Sequence, residues 1–232
     1  MQAILLCGGK GERLDPLTSF CPKGMVRVNG KPLLEYQLQW LKGQGIKKIV
    51  FACGYLNKEI QNYFEDGKDF LLDINYSVED EQLGRGGAIK KAWEMLSPCE
   101  RFIVTNGDIY TELDLKKVIS FHNSQNNCKA TICLFPYKSS YGIVNFNDNN
   151  QVERFEEKPT LPFWINGGIY IFDYDLKKYF LDRGDHETTV FPTLLEKKLL
   201  YCYKSTEYWK SIETVKDLTE FSLNKQALIP TI

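Results

Sequence analysis

LLCGGKGERLDPLTSFCPKG, Leu5 to Gly24, decides how the rest of the chain is read. The apolar run from Ala3 to Cys7 breaks into Gly8-Gly9-Lys10-Gly11, and Arg13, Leu14-Asp15-Pro16-Leu17-Thr18 and Pro22-Lys23 follow. This pattern predicts a buried strand that empties into a loop almost without side chains, whose backbone N–H groups can close around phosphate oxygens. Arg13 and Lys23 stand at separations that a folded-back loop brings to one anion. The phosphate-loop pattern G-x-x-x-x-G-K-[ST] is absent, and G-x-G-x-x-G fails because Leu14 takes the place of the third glycine. An ordinary ATPase loop and a nicotinamide site are therefore set aside. A glycine-rich turn alone is most often a tight turn and nothing more; the two cations give this one a chemistry.

Composition bounds the partners. With 232 residues and 43% hydrophobic content, the chain can bury one substantial core, and a single domain is expected. Lys and Arg number 29 against 30 Asp and Glu, so no global field recruits nucleic acid or an anionic membrane. A phosphate ligand must be held by a local cluster of cations. The cysteines at 7, 21, 53, 99, 128, 133 and 202 form no C-x-x-C pair and no zinc spacing, which fits a reducing compartment. No leader-like segment precedes Ala3 and no apolar run approaches spanning length, so a cytoplasmic protein is expected.

Periodicity predicts strands at 47–54, 72–79 and 101–105, alternating with helices that carry Leu34, Leu38 and Leu41, then Ile60 and Phe64, then Ile89, Ala92 and Leu96. That rhythm implies an α/β fold, a Rossmann-like, mixed but mainly parallel central sheet with helices on both faces. In such sheets ligands sit beyond the carboxyl ends of the strands. The glycine loop, Gly84-Arg85-Gly86-Gly87 and Asn106-Gly107-Asp108 all follow strands and so share one edge. The second half reads as short strands at 129–136, 141–146, 151–155 and 163–172, with helices near 174–181, 189–198 and 215–225 and a strand near 200–203. His122 and His186 lack partners at ligand spacing and are read as surface or structural residues.

The run Gly8-Gly9-Lys10-Gly11-Glu12-Arg13-Leu14-Asp15-Pro16-Leu17-Thr18 with Pro22-Lys23 resembles the signature of the sugar-1-phosphate nucleotidyltransferases, the nucleotide-sugar pyrophosphorylases. Three later segments resemble the same family in the same order: Gln82 to Ala88, Glu156-Glu157-Lys158-Pro159, and Asn166-Gly167-Gly168-Ile169-Tyr170. The compact form is most similar to stand-alone mannose-1-phosphate guanylyltransferases and related hexose and heptose enzymes. Glucose-1-phosphate uridylyl or thymidylyl transfer is an alternative, and a non-catalytic nucleotide-sugar-binding subunit is a third.

The resemblance implies a nucleotide-binding half at about 1–125, a sugar-binding half at about 126–232, and no C-terminal β-helix. It implies an NTP and a sugar 1-phosphate as partners, with a homo-oligomer left open, and Mg²⁺ as cofactor. Leu6, Gly8, Gly9, Gly11, Gln82 and Gly86 would bind the nucleotide; Arg13, Lys23, Asp108 and Lys158 would be catalytic. Glu157, Lys158, Asn166, Gly167 and Tyr170 would bind the sugar, with Gly167 and Gly168 leaving room for a pyranose. Asp108 would hold the metal. Two departures matter. Arg85 replaces a common Thr and is expected to face solvent, and Ser211 replaces the usual second metal carboxylate. Glu213, two residues on and on the same side of an extended strand, is the candidate to take over that role.

Overall fold

A computed structural model describes residues 1–226 of the chain. In chain order the first half holds β1 (Gln2–Leu6), the short pair β2 (Arg27–Val28) and β3 (Lys31–Pro32), α1 (Leu33–Gly43), β4 (Lys48–Cys53), α2 (Asn57–Phe64), β5 (Asp73–Val78), α3 (Gly84–Trp93), β6 (Arg101–Asn106), β7 (Ile109–Thr111) and α4 (Leu115–Ser124). The second half holds β8 (Ala130–Lys138), β9 (Ile143–Phe146), β10 (Val152–Glu156), β11 (Thr160–Asp173), α5 (His186–Glu196), β12 (Leu200–Lys204), β13 (Trp209–Ser211) and α6 (Val215–Gln226). The helix expected near 174–181 is a 3-10 turn, Tyr174–Tyr179.

Seven strands form one sheet in the order β12-β8-β11-β6-β1-β4-β5. The pairs β5/β4, β4/β1, β1/β6 and β8/β12 are parallel; β11 runs antiparallel to both β6 and β8. The mixed, mainly parallel sheet is the one expected from the sequence. Alternation along β1 splits the interior into two layers: Ala3 and Leu5 face α1 and α2 residues Leu34, Leu38, Ile60 and Phe64. Ile4 faces Ala88, Ile89 and Trp93 of α3 and Val190 and Leu194 of α5. Full burial of each Leu, Ile, Val or Phe among them contributes about 1.5–3 kcal/mol.

Helix α1 ends through glycine as its sequence implies. Gly45 has φ 83, its N–H donates to Lys42 O at 2.9 Å and the Ile46 N–H to Leu41 O at 3.0 Å. This paired closure satisfies carbonyls that the helix end would otherwise leave open, and only glycine enters it without a Cβ penalty. The chain then turns directly into β4.

Register places the site. Leu6 pairs with Asn106 across β1 and β6, so the glycine loop and Asp108 leave the sheet side by side. The Gly107 N–H donates to Leu6 O at 2.8 Å, and a Cβ at Gly107 would stand 2.7 Å from that oxygen. A second tie comes from far along the chain. β13 pairs antiparallel with β7, Ser211 opposite Ile109, and the Ile212 N–H donates to Asp108 O at 2.8 Å. Glu213 is thereby delivered beside Asp108, which periodicity could not foresee because the two strands are about a hundred residues apart.

Candidate active site

Two adjoining hollows lie beyond the carboxyl ends of β1, β4, β5 and β6. The first, about 330 Å³, includes Leu6, Gly8 and Gly9, together with Glu79, Gln82, Gly84 and Asn106 in its lining. The second, about 420 Å³, is walled by Gly9 to Arg13, Gln82 and Glu213. Lys23 and Asp108 belong to both. The sheet-edge rule thus gathers the glycine loop, both cations and the carboxylate into one cleft.

The loop's shape follows from its glycines. Gly11 has φ 71, and a Cβ there would come within 2.8 Å of Lys23 Cβ. Thr18 Oγ1 donates to Gly11 O at 2.9 Å and pins the fold-back. Lys23 Nζ then reaches Asp108 Oδ2 at 2.6 Å, with the two side chains 15% and 32% exposed. Arg13 stands at the open rim, 75% exposed, in an ion pair with Glu213. Ser211 Oγ donates to the other Glu213 oxygen at 3.1 Å. Asp217, accepting from the Glu213 and Thr214 N–H groups and from Lys210, holds this corner in place.

Glu79, at the end of β5, is the functional candidate that sequence reading missed. Burial lifts its carboxyl above the ordinary range, only partly offset by the Leu83 N–H, which donates to Oε2 at 3.0 Å. It stands on the same sheet edge as the glycine loop, which was the available signal. Behind it Cys7 and Cys53 sit with Sγ atoms 3.3 Å apart, and burial pushes the Cys7 thiol well up, so that it stays a protonated apolar wall.

Several expected residues play other parts. Gly84 lines the hollow, whereas Gly86 packs α3 against the loop before α5: its N–H donates to Gly184 O at 2.8 Å, and a Cβ would stand 2.7 Å from that oxygen. Tyr170 is fully buried, its OH accepting from Asn166 Nδ2 at 2.9 Å, so it supports Asn166 rather than facing the cleft. At Gly167 the Phe135 ring occupies the space a side chain would take, a Cβ there standing 2.4 Å from it, and the Gly167 carbonyl accepts from Trp209 Nε1 at 2.8 Å. Gly168, with φ 68, sits where the β11/β8 register shifts between Asn166 and Tyr170. These two glycines make a bulge.

Glu157 and Lys158 lie at the exposed turn between β10 and β11, Nζ 3.7 Å from Glu157 Oε1, and line neither hollow. Arg85 does not face solvent freely. Its guanidinium is clamped by Asp185 at 3.3 Å and Glu187 at 2.8 Å, because α3 and α5 meet through glycine at this point. His122 and His186 are both buried, structural rather than surface residues.

Among the described residues no group of three or more His, Cys, Asp or Glu is arranged as a metal cage. No helix among them is long and apolar enough to cross a membrane.

Over 180 residues, 76% of this chain and 77% of the other, the protein is 39% identical to the D-glycero-alpha-D-manno-heptose 1-phosphate guanylyltransferase of Campylobacter jejuni. It is 32% identical to the UTP–glucose-1-phosphate uridylyltransferase of Synechocystis over 94% of this chain, and spans 61% of that longer relative. The solved structure of HddC from Yersinia pseudotuberculosis, complexed with GMP-PN, superposes with a TM-score of 0.77 at 27% identity, covering 97% of this chain and 99% of that one. The Nucleotidyl transferase family model matches residues 2–227. With that match spanning the same loop, sheet edge and carboxylate that form the cleft, the chain belongs to the sugar-1-phosphate nucleotidyltransferase branch of the nucleotidyl transferase family.

Proposed function

We propose that the protein transfers a guanylyl group from GTP to a mannose-configured hexose or heptose 1-phosphate, giving a GDP-sugar and pyrophosphate. The observation that carries the choice of base is Glu79, a half-buried carboxylate in the wall of the nucleotide hollow. Guanine presents two adjacent N–H donors on its pairing edge, which a carboxylate accepts together. Uracil and thymine present one donor between two carbonyls, and adenine sets an acceptor beside its donor, so each leaves Glu79 poorly matched.

In the reaction an oxygen of the acceptor phosphate attacks the α-phosphorus in line. The bond to the β-phosphate oxygen breaks, and pyrophosphate leaves with the electron pair. The attacking group is already ionised, so catalysis reduces to alignment and neutralisation of charge. Unaided, unit charges 4 Å apart repel by about 4 kcal/mol at an effective dielectric of 20. Lys23, inside the cleft, would neutralise the triphosphate near the reacting centre. Arg13, at the rim, would take the leaving pyrophosphate.

Asp108 and Glu213 line the same hollow, and one or two carboxylates plus phosphate oxygens are what Mg²⁺ ordinarily uses, so this donor set fits the ion. When bound, Mg²⁺ would supply further charge neutralisation at the phosphates.

The test is pyrophosphate release across GTP, UTP, dTTP, ATP and CTP with mannose, glucose and manno-heptose 1-phosphates. Turnover is expected to be greatest with GTP and a mannose-configured acceptor. Faster turnover with UTP or dTTP and glucose 1-phosphate overturns the base assignment, and turnover with none of them makes the chain a non-catalytic binding subunit.

A further inference from the structure

Helices α3 and α5 come together at their N-terminal ends with almost no side chain between them. The Gly86 and Gly87 N–H groups both donate to Gly184 O, at 2.8 and 3.2 Å, and a Cβ at Gly84 would stand 2.8 Å from the Gly184 backbone. This approach lays Asp185 and Glu187 over Arg85. The Arg85 backbone N–H and Nε donate to Asp185 Oδ1 at 2.9 and 3.3 Å, and Nη1 pairs with Glu187 Oε1 at 2.8 Å.

Glu187 is itself fixed from behind. Tyr170 OH donates to Oε1 at 3.5 Å, and Oε2 lies 3.2 Å from Nδ1 of the fully buried His186. Neither Oε2 nor the His186 ring nitrogens make a hydrogen bond among the described residues, so the carboxylate is packed in place rather than solvated.

Arg85 and Asp185 both form part of the wall of the 330 Å³ hollow. Among the described residues, Arg85 Nη2 and Asp185 Oδ2 take no part in the clamp. They leave a donor and an acceptor on two paired residues that wall the hollow. One cation against two carboxylates leaves the array with a net negative charge, which disfavours a phosphate here. Neighbouring hydroxyls suit it, since one can accept from Nη2 while the other donates to Oδ2.

We infer that Arg85 and Asp185 read a vicinal diol of the ligand in this hollow, with Glu187 as the positioning residue that holds the guanidinium at its angle. The inference rests on the nucleotidyl-transfer reading above. It concerns a departure from the family pattern, which commonly has a threonine where this chain has Arg85. The diol has two sources, the ribose of the nucleotide and the ring of the acceptor sugar.

Steady-state kinetics on the full chain separate them. One arm compares GTP with its 2′-deoxy and 3′-deoxy forms; the other compares mannose 1-phosphate with its 2-, 3- and 4-deoxy forms. The wild type is expected to disfavour the deoxy ligand by about 10–100-fold in one arm, as a site left with unpaired polar groups does. Arg85→Thr and Asp185→Asn should flatten that preference to about threefold or less and leave the other arm as it was. Glu187→Gln should raise KM for the same ligand with kcat within about threefold, a split that loss of folding alone would not produce.

That preference surviving undiminished in Arg85→Thr overturns the inference, as does a wild type indifferent to every deoxy ligand, a result independent of how the variants fold. A wild type that turns over no nucleotide and sugar phosphate pair overturns the transfer reading itself, and this inference with it.

Discussion

Lys23 Nζ lies 2.6 Å from Asp108 Oδ2, joining the folded-back glycine loop to the end of β6. The pair is where the cation expected to face the triphosphate and the carboxylate expected to face the metal meet. In the free protein each neutralises the other, so the cleft carries little unopposed charge until a polyanion enters.

Removing one partner strands the other. Lys23→Ala is expected to lower kcat about 100- to 1,000-fold, the usual loss when a transition-state charge contact goes. Gly11→Ala should approach that loss without touching a charge, because its Cβ would meet Lys23 Cβ at 2.8 Å from a backbone with φ 71. Single-turnover rates of both variants check this; a Gly11→Ala enzyme with normal kcat contradicts the packing argument.

Arg13 and Glu213 form the outer pair. Since Arg13 is 75% exposed, Arg13→Ala should leave thermal stability nearly unchanged while slowing turnover by about 10-fold or more. Glu213→Gln separates two roles for the carboxylate. A raised Mg²⁺ requirement places Glu213 at the ion, and an unchanged requirement leaves it as the partner of Arg13 alone.

At the base end, Glu79→Gln exchanges an acceptor for a group that both donates and accepts. The ratio of kcat/KM for GTP over UTP should fall by about 100-fold or more, mostly through GTP. Competition between the two nucleotides in one reaction measures the ratio directly.

Two buried histidines are shifted in opposite directions, and stability should depend on pH accordingly. Burial disfavours charge on His122, but its hydrogen bond to Asp173 and the contact with Cys128 prevail and raise it to about 9. The stability it adds is fully present below its unfolded value near 6.5 and is lost as pH climbs through 9. Burial, with Arg85 nearby, lowers His186 to about 3, so it stays neutral in the fold and stability falls as pH drops from about 6.5 toward 3. Denaturant midpoints should therefore peak near pH 6.5. His186→Phe, in a pocket of Tyr170, Phe172, Phe180 and Phe191, should flatten the acid limb, and Asp173→Asn the alkaline one.

Local pattern was enough for much of this. The periodicities of 2 and 3.6 residues marked the parallel strands and their helices, because burying one face is a local demand on every element. The run from Gly8 to Lys23 marked the loop that lines the cleft, since backbone exposed by glycine and two nearby cations are properties of the chain itself. Asp108 followed from the rule that strand ends gather at one edge. Local pattern failed where a residue's partner lies far along the chain. The sequence could not show that Tyr170 is buried under Asn166, or that Gly167 packs on Phe135 and accepts from Trp209.

The amino-acid order by itself determined the layered α/β fold, the glycine cradle and the cations that serve it, because each depends on neighbours within a few residues. Only the tertiary structure decided that Glu213 closes on Arg13, that Asp185 and Glu187 clamp Arg85, and that Glu79 lines the 330 Å³ hollow. Those are meetings across sheet register and helix packing, set by which faces the whole chain must bury.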